Sequence, residues 1–363
     1  MEFQYSISIA AALLFGAAAW QSRRTGESAA QRGLFRALWG AILLGFVGYT
    51  LLSYLTVIQL LSSAPEEAIR IGLDAGAPMR GLVALGFALI TAMFLWLWLH
   101  SLRLRLWASR LFPPPRPDRL NDLAAHPWPD QIRGFDPQSS IHALAVGAAL
   151  LLWLQTLVDF IIAGGQSGPA AGDLDQNQVV ISSTLTAAML LLVTFLGVGI
   201  GLDRSPRQAL ARLGLRWPTL SEVSVGAGVA ITLVGFQFCA SAIWVATTPE
   251  KLLEQQMEFN RAITGSVTTL SGAFLVALLS SFSEEIAFRG GLQPVIGLGP
   301  TALLFALMHA QYQFTPAALI ILVVGLFFGL LRQQFGTGAA ITAHFVYNFV
   351  LLSLAALANQ LMG

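Results

Sequence analysis

The sequence predicts an all-α fold, a polytopic transmembrane helical bundle of about ten spans with N- and C-termini outside. Of its 363 residues 55% are hydrophobic and only 11% are charged, whereas soluble domains carry about 25% charged residues. Mean hydropathy is +0.68, so too little charge exists to coat a surface of this size, and the outside must face lipid. Apolar runs near the roughly 20 residues that a spanning helix needs also recur along the whole chain.

Ten such runs lie near 5–20, 38–61, 81–100, 142–163, 179–202, 223–247, 268–290, 300–311, 316–333 and 339–359. The first is short, and Ala17-Ala18-Ala19 resembles a cleavage site. Glu2 precedes it, however, and Arg23 and Arg24 follow, the reverse of a secretory leader. It reads as a retained helix with its N-terminus outside. Loop charge sets the orientation. Sixteen arginines, from Arg23 to Arg332, fall in alternate loops, against Arg70, Arg80, Lys251 and Arg261 in the others. The Arg-rich loops are therefore read as cytoplasmic, and an even number of spans agrees.

Between these spans, Leu102-Arg103-Leu104-Arg105-Leu106-Trp107 reads as an interfacial segment. It leads through Pro113-Pro114-Pro115 into a stiff cytoplasmic loop. Thr248-Pro249-Glu250 supplies an N-cap and an N1 proline before Leu252, Leu253 and Met257, the start of an amphipathic helix on the outer surface. The chain divides into an accessory transmembrane bundle at 1–205 and a second transmembrane bundle at 206–363. The net charge of +1 provides no basic excess for phosphate, which excludes an electrostatic nucleic-acid binder. Cys239 is the single cysteine, so there is neither an intrachain disulfide nor a cysteine metal site. A single lysine against nineteen arginines points to a bacterial genome and hence to a bacterial inner membrane.

Charges inside a bilayer cost several kcal/mol, so each needs an account. In Ser283-Glu284-Glu285-Ile286-Ala287-Phe288-Arg289, Glu285 and Arg289 stand four apart with the carboxylate first, the favoured order for a helical pair. Glu284 lies about 100° around the helix, without that partner. An unpaired carboxylate facing a water-poor cavity suits general acid–base chemistry. The alternative is that both glutamates form a solvated cap in the headgroup zone. Phe305 and His309 share a face four residues apart, as do His344 and Asn348. Donors stacked on one face can aim at one oxygen, although Asn348 has an ordinary alternative in bonding a neighbouring helix.

Depth relates these segments. With cytoplasmic turns at Gly297-Leu298-Gly299-Pro300 and Gly336-Thr337-Gly338, Glu284 lies roughly 20 Å and His309 roughly 13 Å from the first, at 1.5 Å per residue. By the same rise, His344 and Asn348 lie roughly 9 and 15 Å from the second. Glu284, His309, His344 and Asn348 are thus expected to converge in the cytoplasmic half.

Glu-Glu-x-x-x-Arg at 284–289, Phe-x-x-x-His at 305–309 and His-x-x-x-Asn at 344–348 resemble the CPBP family of intramembrane proteases. That family includes the type II CAAX-processing endopeptidases and bacteriocin-processing or self-immunity proteins. Leu213-Gly214-Leu215-Arg216 resembles the start of the family's core, and the likeness covers roughly 206–360. The spacing from Glu284 to His309 is short for the family. The resemblance implies a membrane-associated peptide or protein substrate, with Glu284 and His309 activating water and His344 and Asn348 stabilising the oxyanion. Glu285, Arg289 and Phe305 would be structural or orienting. No cofactor is favoured. A zinc reading, with Glu284, His309 and His344 as ligands, stays open beside the metal-free one. A proton-coupled transporter and a catalytically silent immunity or partner-binding scaffold are the rival readings. The inverted repeats and broken helices of a transporter are not evident.

Overall fold

A bilayer offers backbone N–H and C=O groups no water, so long apolar runs satisfy them internally as helices. The computed structural model describes residues 29–70, 73–110, 134–162, 176–201, 204–248, 267–309 and 316–362. Among these, eight helices are long and apolar enough to cross a membrane. In chain order the helices are α1 Ala29–Ser63, α2 Pro65–Arg70, α3 Ala77–His100, α4 Leu102–Ala108, α5 Ser140–Ile162, α6 Gln176–Gly197, α7 Pro206–Arg212 and α8 Leu220–Thr247. They continue as α9 Leu270–Glu284, a π-helical turn Glu285–Leu292, α10 Gln293–Ile296, α11 Leu298–Met308, α12 Pro316–Phe335 and α13 Thr337–Met362. The chain is a polytopic helical membrane protein.

Eight of the ten expected runs correspond to these long helices. The run near 5–20, the proline-rich stretch from 113 and the amphipathic helix expected after Pro249 lie outside the described residues. The run near 300–311 differs from expectation. It forms α11, only 11 residues long, about 16 Å at 1.5 Å per residue and roughly half a hydrocarbon core. Gly297, at φ +88°, separates it from α10 in a backbone region that other residues rarely adopt. Gly336, at φ +91°, makes the corresponding break between α12 and α13.

Two apolar cores organise the helices. Trp39, Phe46, Leu95, Leu144, Leu151 and Val158 pack α1, α3 and α5 together. Leu233, Ile320, Phe328, Ala343 and Tyr347 do the same for α8, α12 and α13. Two smaller clusters join the N-terminal and C-terminal helices. Trp98 and Val146 meet Leu292, Ile296 and Leu304, and Val198 meets Leu213 and Ile286. The lipid-facing side keeps large apolar groups exposed, such as Leu185 and Leu192 on α6 and Phe274 and Leu278 on α9. Short polar signals begin the later helices. Ser205 with Gln208, and Thr219 with Glu222, form reciprocal capping boxes on α7 and α8, meeting N–H groups that a helix start leaves open.

Two arginines counted above as loop charges lie elsewhere. Arg289 and Arg332 are 0% and 4% exposed, inside the C-terminal bundle. Without them the charge asymmetry is still fourteen against four.

Candidate active site

The two glutamates sit where α9 passes into the π-helical turn, and such turns are frequent at functional sites. Glu285 opens the turn and is fully buried. Its Oε1 lies 3.0 Å from Arg289 Nη1 and accepts from His344 Nδ1 at 2.8 Å. One carboxylate oxygen therefore faces a guanidinium from its own turn and an imidazole from α13. Arg289 also donates through Nη2 to the Gly325 carbonyl at 3.1 Å. Its guanidinium lies 4.1 Å from the centre of the Phe305 ring, a cation–π geometry that helps hold a desolvated charge.

The relay continues along α13. Asn348 Nδ2 lies 3.0 Å from His344 Nε2 and donates to Ser280 Oγ at 3.1 Å. Ser280 spends its own proton on the Ala277 carbonyl, so it accepts from the amide. With the amide so turned, His344 Nε2 accepts from Asn348, and its proton sits on Nδ1 toward Glu285. The imidazole is further held by Phe328, whose ring stacks at 4.9 Å with an interplanar angle of 26°.

His309 ends α11 and is half-buried. Its Nδ1 lies 2.8 Å from the Phe305 carbonyl. A carbonyl only accepts, so Nδ1 carries the hydrogen and the lone pair is on Nε2. Phe305, 2% exposed, stands between the two histidines, 4.8 Å from the His309 ring and 5.9 Å from the His344 ring, centre to centre.

Glu284 is the last residue of α9. Its Oε2 is shut off from solvent and takes no hydrogen bond among the described residues. Neither histidine bonds to it, and the carboxylate partner of His344 is the adjacent Glu285. The structure thus links Glu285, Arg289, His344 and Asn348 by direct polar contacts, brings His309 in through Phe305, and leaves the Oε2 of Glu284 and of Glu285 without a hydrogen bond among the described residues. Ser280 and Phe328 were not singled out by sequence. Ser280 stands one turn before Glu284 on the same helical face, a readable signal, whereas nothing local marks Phe328.

The zinc set considered on sequence does not assemble. Among the described residues no three His, Cys, Asp or Glu side chains are grouped to hold a metal ion. Both nitrogens of His344 are engaged, by Glu285 and Asn348.

Fold and site together define a class: polytopic membrane proteins with a carboxylate–histidine cluster buried between their C-terminal helices. Residues 266–350 match the family described as Type II CAAX prenyl endopeptidase Rce1-like. The matched segment holds all seven motif residues and supports a relationship to the CPBP family of CAAX proteases. The chain is also similar to the uncharacterized protein YpbD of Bacillus subtilis (strain 168), at 38% identity over 78 residues. The aligned part is 21% of this chain and 41% of that relative's length. No solved structure matches the chain.

Proposed function

We propose that the protein is an intramembrane endopeptidase that cleaves a membrane-associated protein or peptide with water activated by Glu284 and His309. The observation that carries this reading is the asymmetry of the adjacent carboxylates. Glu285 is committed through Oε1 to Arg289 and His344, while Glu284 makes no ion pair with either among the described residues, although the Oε2 atoms of both are dry and unpartnered. A carboxylate needing no displacement of a partner is suited to take a proton from water. His309, with its lone pair on Nε2, is the second acceptor.

In the proposed reaction Glu284 removes one proton from water as the hydroxide adds to the scissile carbonyl. The oxyanion takes N–H donation from Asn348, whose amide turns to it from His344 Nε2, while Glu285 holds His344 in place through Nδ1 as a buried carboxylate orients a catalytic histidine elsewhere. Such a donor contributes about 3–4 kcal/mol. The proton held by Glu284 then passes to the leaving amine as the C–N bond breaks, leaving a carboxylic acid and an amine. No step uses a metal. We further infer a bacterial cytoplasmic membrane with the site opening to its inner half, supported by the arginine-rich alternate loops.

The test is cleavage of a quenched-fluorescent membrane peptide by the purified full chain. Glu284→Gln should abolish turnover without lowering the melting temperature, and full activity in that variant refutes the assignment. Turnover should survive exhaustive chelation. Loss on chelation with restoration by added zinc would replace this mechanism with a metal-dependent one.

A further inference from the structure

The π-helical turn has a backbone deficit that the sequence creates. In α-helical spacing the Gly290 carbonyl would accept from the N–H of residue 294, and in π spacing so would that of Arg289. Residue 294 is proline and has no N–H. The Phe288 carbonyl, just before them, is served by the N–H of Gln293. A buried carbonyl without a donor is costly, and here the donors come from distant segments. Arg332 Nε, on α12, donates to the Arg289 carbonyl at 3.2 Å. Arg212 Nη1, at the end of α7, donates to the Gly290 carbonyl at 3.0 Å, with Nη2 3.5 Å from the Gly291 carbonyl.

The contacts run both ways. Arg289 and Gln293 send their side chains to the Gly325 and Gly329 carbonyls of α12, at 3.1 and 2.9 Å. On the other side a Cβ at Gly290 would stand 2.9 Å from the Leu213 carbonyl, so the segment after α7 is pressed against the turn. Arg332 makes no ion pair among the described residues, and its Nη2 has no hydrogen-bond partner. A buried cation without a counter-charge is poor value for stability alone.

We propose that Arg332 and Arg212 are positioning residues of the hydrolytic site. They replace the donor missing at Pro294, hold the turn in its π form, and so fix the rotation of Glu284 and Glu285 about the helix axis. Slipping by one residue would turn these carboxylates by about 100° and change which of them meets His344. The kinetic consequence rests on the endopeptidase reading, whereas the clamp on the turn can be read without activity.

The experiment uses the full chain in detergent with three variants: Arg332→Met, Arg332→Gln, and Arg332→Met combined with Pro294→Ala. Hydrogen–deuterium exchange is followed over 285–296, with α3 and α5 as internal controls, alongside kcat, KM and melting. Arg332→Met, which has no donor, should speed exchange at 285–296 alone and lower kcat about a hundredfold, as a misplaced catalytic group does, with KM within about twofold. Glutamine, whose amide nitrogen stands where arginine Nε does, keeps the donor and should recover most of kcat. Pro294→Ala restores a peptide N–H and should return protection to the methionine variant, a coupling that a mutant cycle detects. Unchanged exchange at 285–296 in Arg332→Met overturns the proposal. So does a methionine variant that Pro294→Ala leaves equally unprotected, or one whose loss appears only as faster exchange everywhere. A wild-type chain that cleaves nothing yet shows the expected exchange pattern would sink the endopeptidase reading and support the clamp.

Discussion

Trp39, Phe46, Leu95, Leu144 and Leu151 fill the centre of the N-terminal bundle, where the C-terminal bundle holds Glu285, Arg289 and His344 against Phe305 and Phe328. At the centre of the first, the buried donors of Trp39 and Thr50 are each answered by a backbone carbonyl. Trp39 Nε1 donates to the Leu95 carbonyl at 3.3 Å, and Thr50 to the Phe46 carbonyl at 3.0 Å. In the second, ionisable groups form a connected relay. Packing accounts for the apolar side chains of the first centre. It does not explain the second, because a buried ion pair rarely outperforms apolar residues of the same volume. The charges are therefore best accounted for by chemistry, and the aromatic cage by the need to hold them.

Four substitutions or conditions would break or sharpen that contrast, beginning with the largest effect. Glu285→Gln leaves the Arg289 guanidinium without its counter-charge, at a cost of about 3–5 kcal/mol. Reporter cleavage should be lost and melting lowered together, unlike in Glu284→Gln, and normal melting would show that the pair is not the structural centre of the bundle. Asn348→Ala removes an oxyanion donor and should reduce kcat about 10²–10³-fold, with melting lowered by only about 1 kcal/mol for the lost hydrogen bonds. A loss confined to KM would instead give Asn348 a role in binding.

Trp39→Phe, in the N-terminal core, should cost about 1–3 kcal/mol through a lost hydrogen bond and a smaller ring. Turnover by the folded fraction should be unchanged, and a fall in kcat would mean that the two bundles are catalytically coupled. The smallest effect is at Asp74, outside the membrane-spanning segments. The Gly76 backbone N–H and then Arg80 hold its carboxyl below the usual value. A depressed folded value contributes stability above the unfolded pKa of about 3.9, lost as pH falls through the folded value. The small melting difference between wild type and Asp74→Asn should therefore be present at neutral pH and vanish in strong acid. A difference that persists there would assign it to something other than the charge.

How far the site could be read in advance depended on range. The Glu285–Arg289 pair followed from residues four apart, and the structure has it, although on a π-helical turn where an α-helix was expected. The breaks at Gly297 and Gly336 were equally local. Pro294 was visible too, but not its answer, since the replacement donors come from Arg212 and Arg332, 78 and 43 residues away from their acceptors. The same limit applies to His344. Glu284 and Glu285 are neighbours in sequence, and their separation by about a third of a helical turn gives no hint which one α13 will meet.

Hydropathy and residue spacing alone were sufficient for the membrane-embedded helical class, the approximate spans and the shortlist of polar residues, because a bilayer imposes length and internal backbone pairing on every segment separately. Tertiary structure decided that Glu285, and not Glu284, binds His344, that α11 is too short to span, and that two supposed loop arginines are buried. Each of these depends on how one helix is rotated and seated against another, and that is settled by side chains meeting across the bundle.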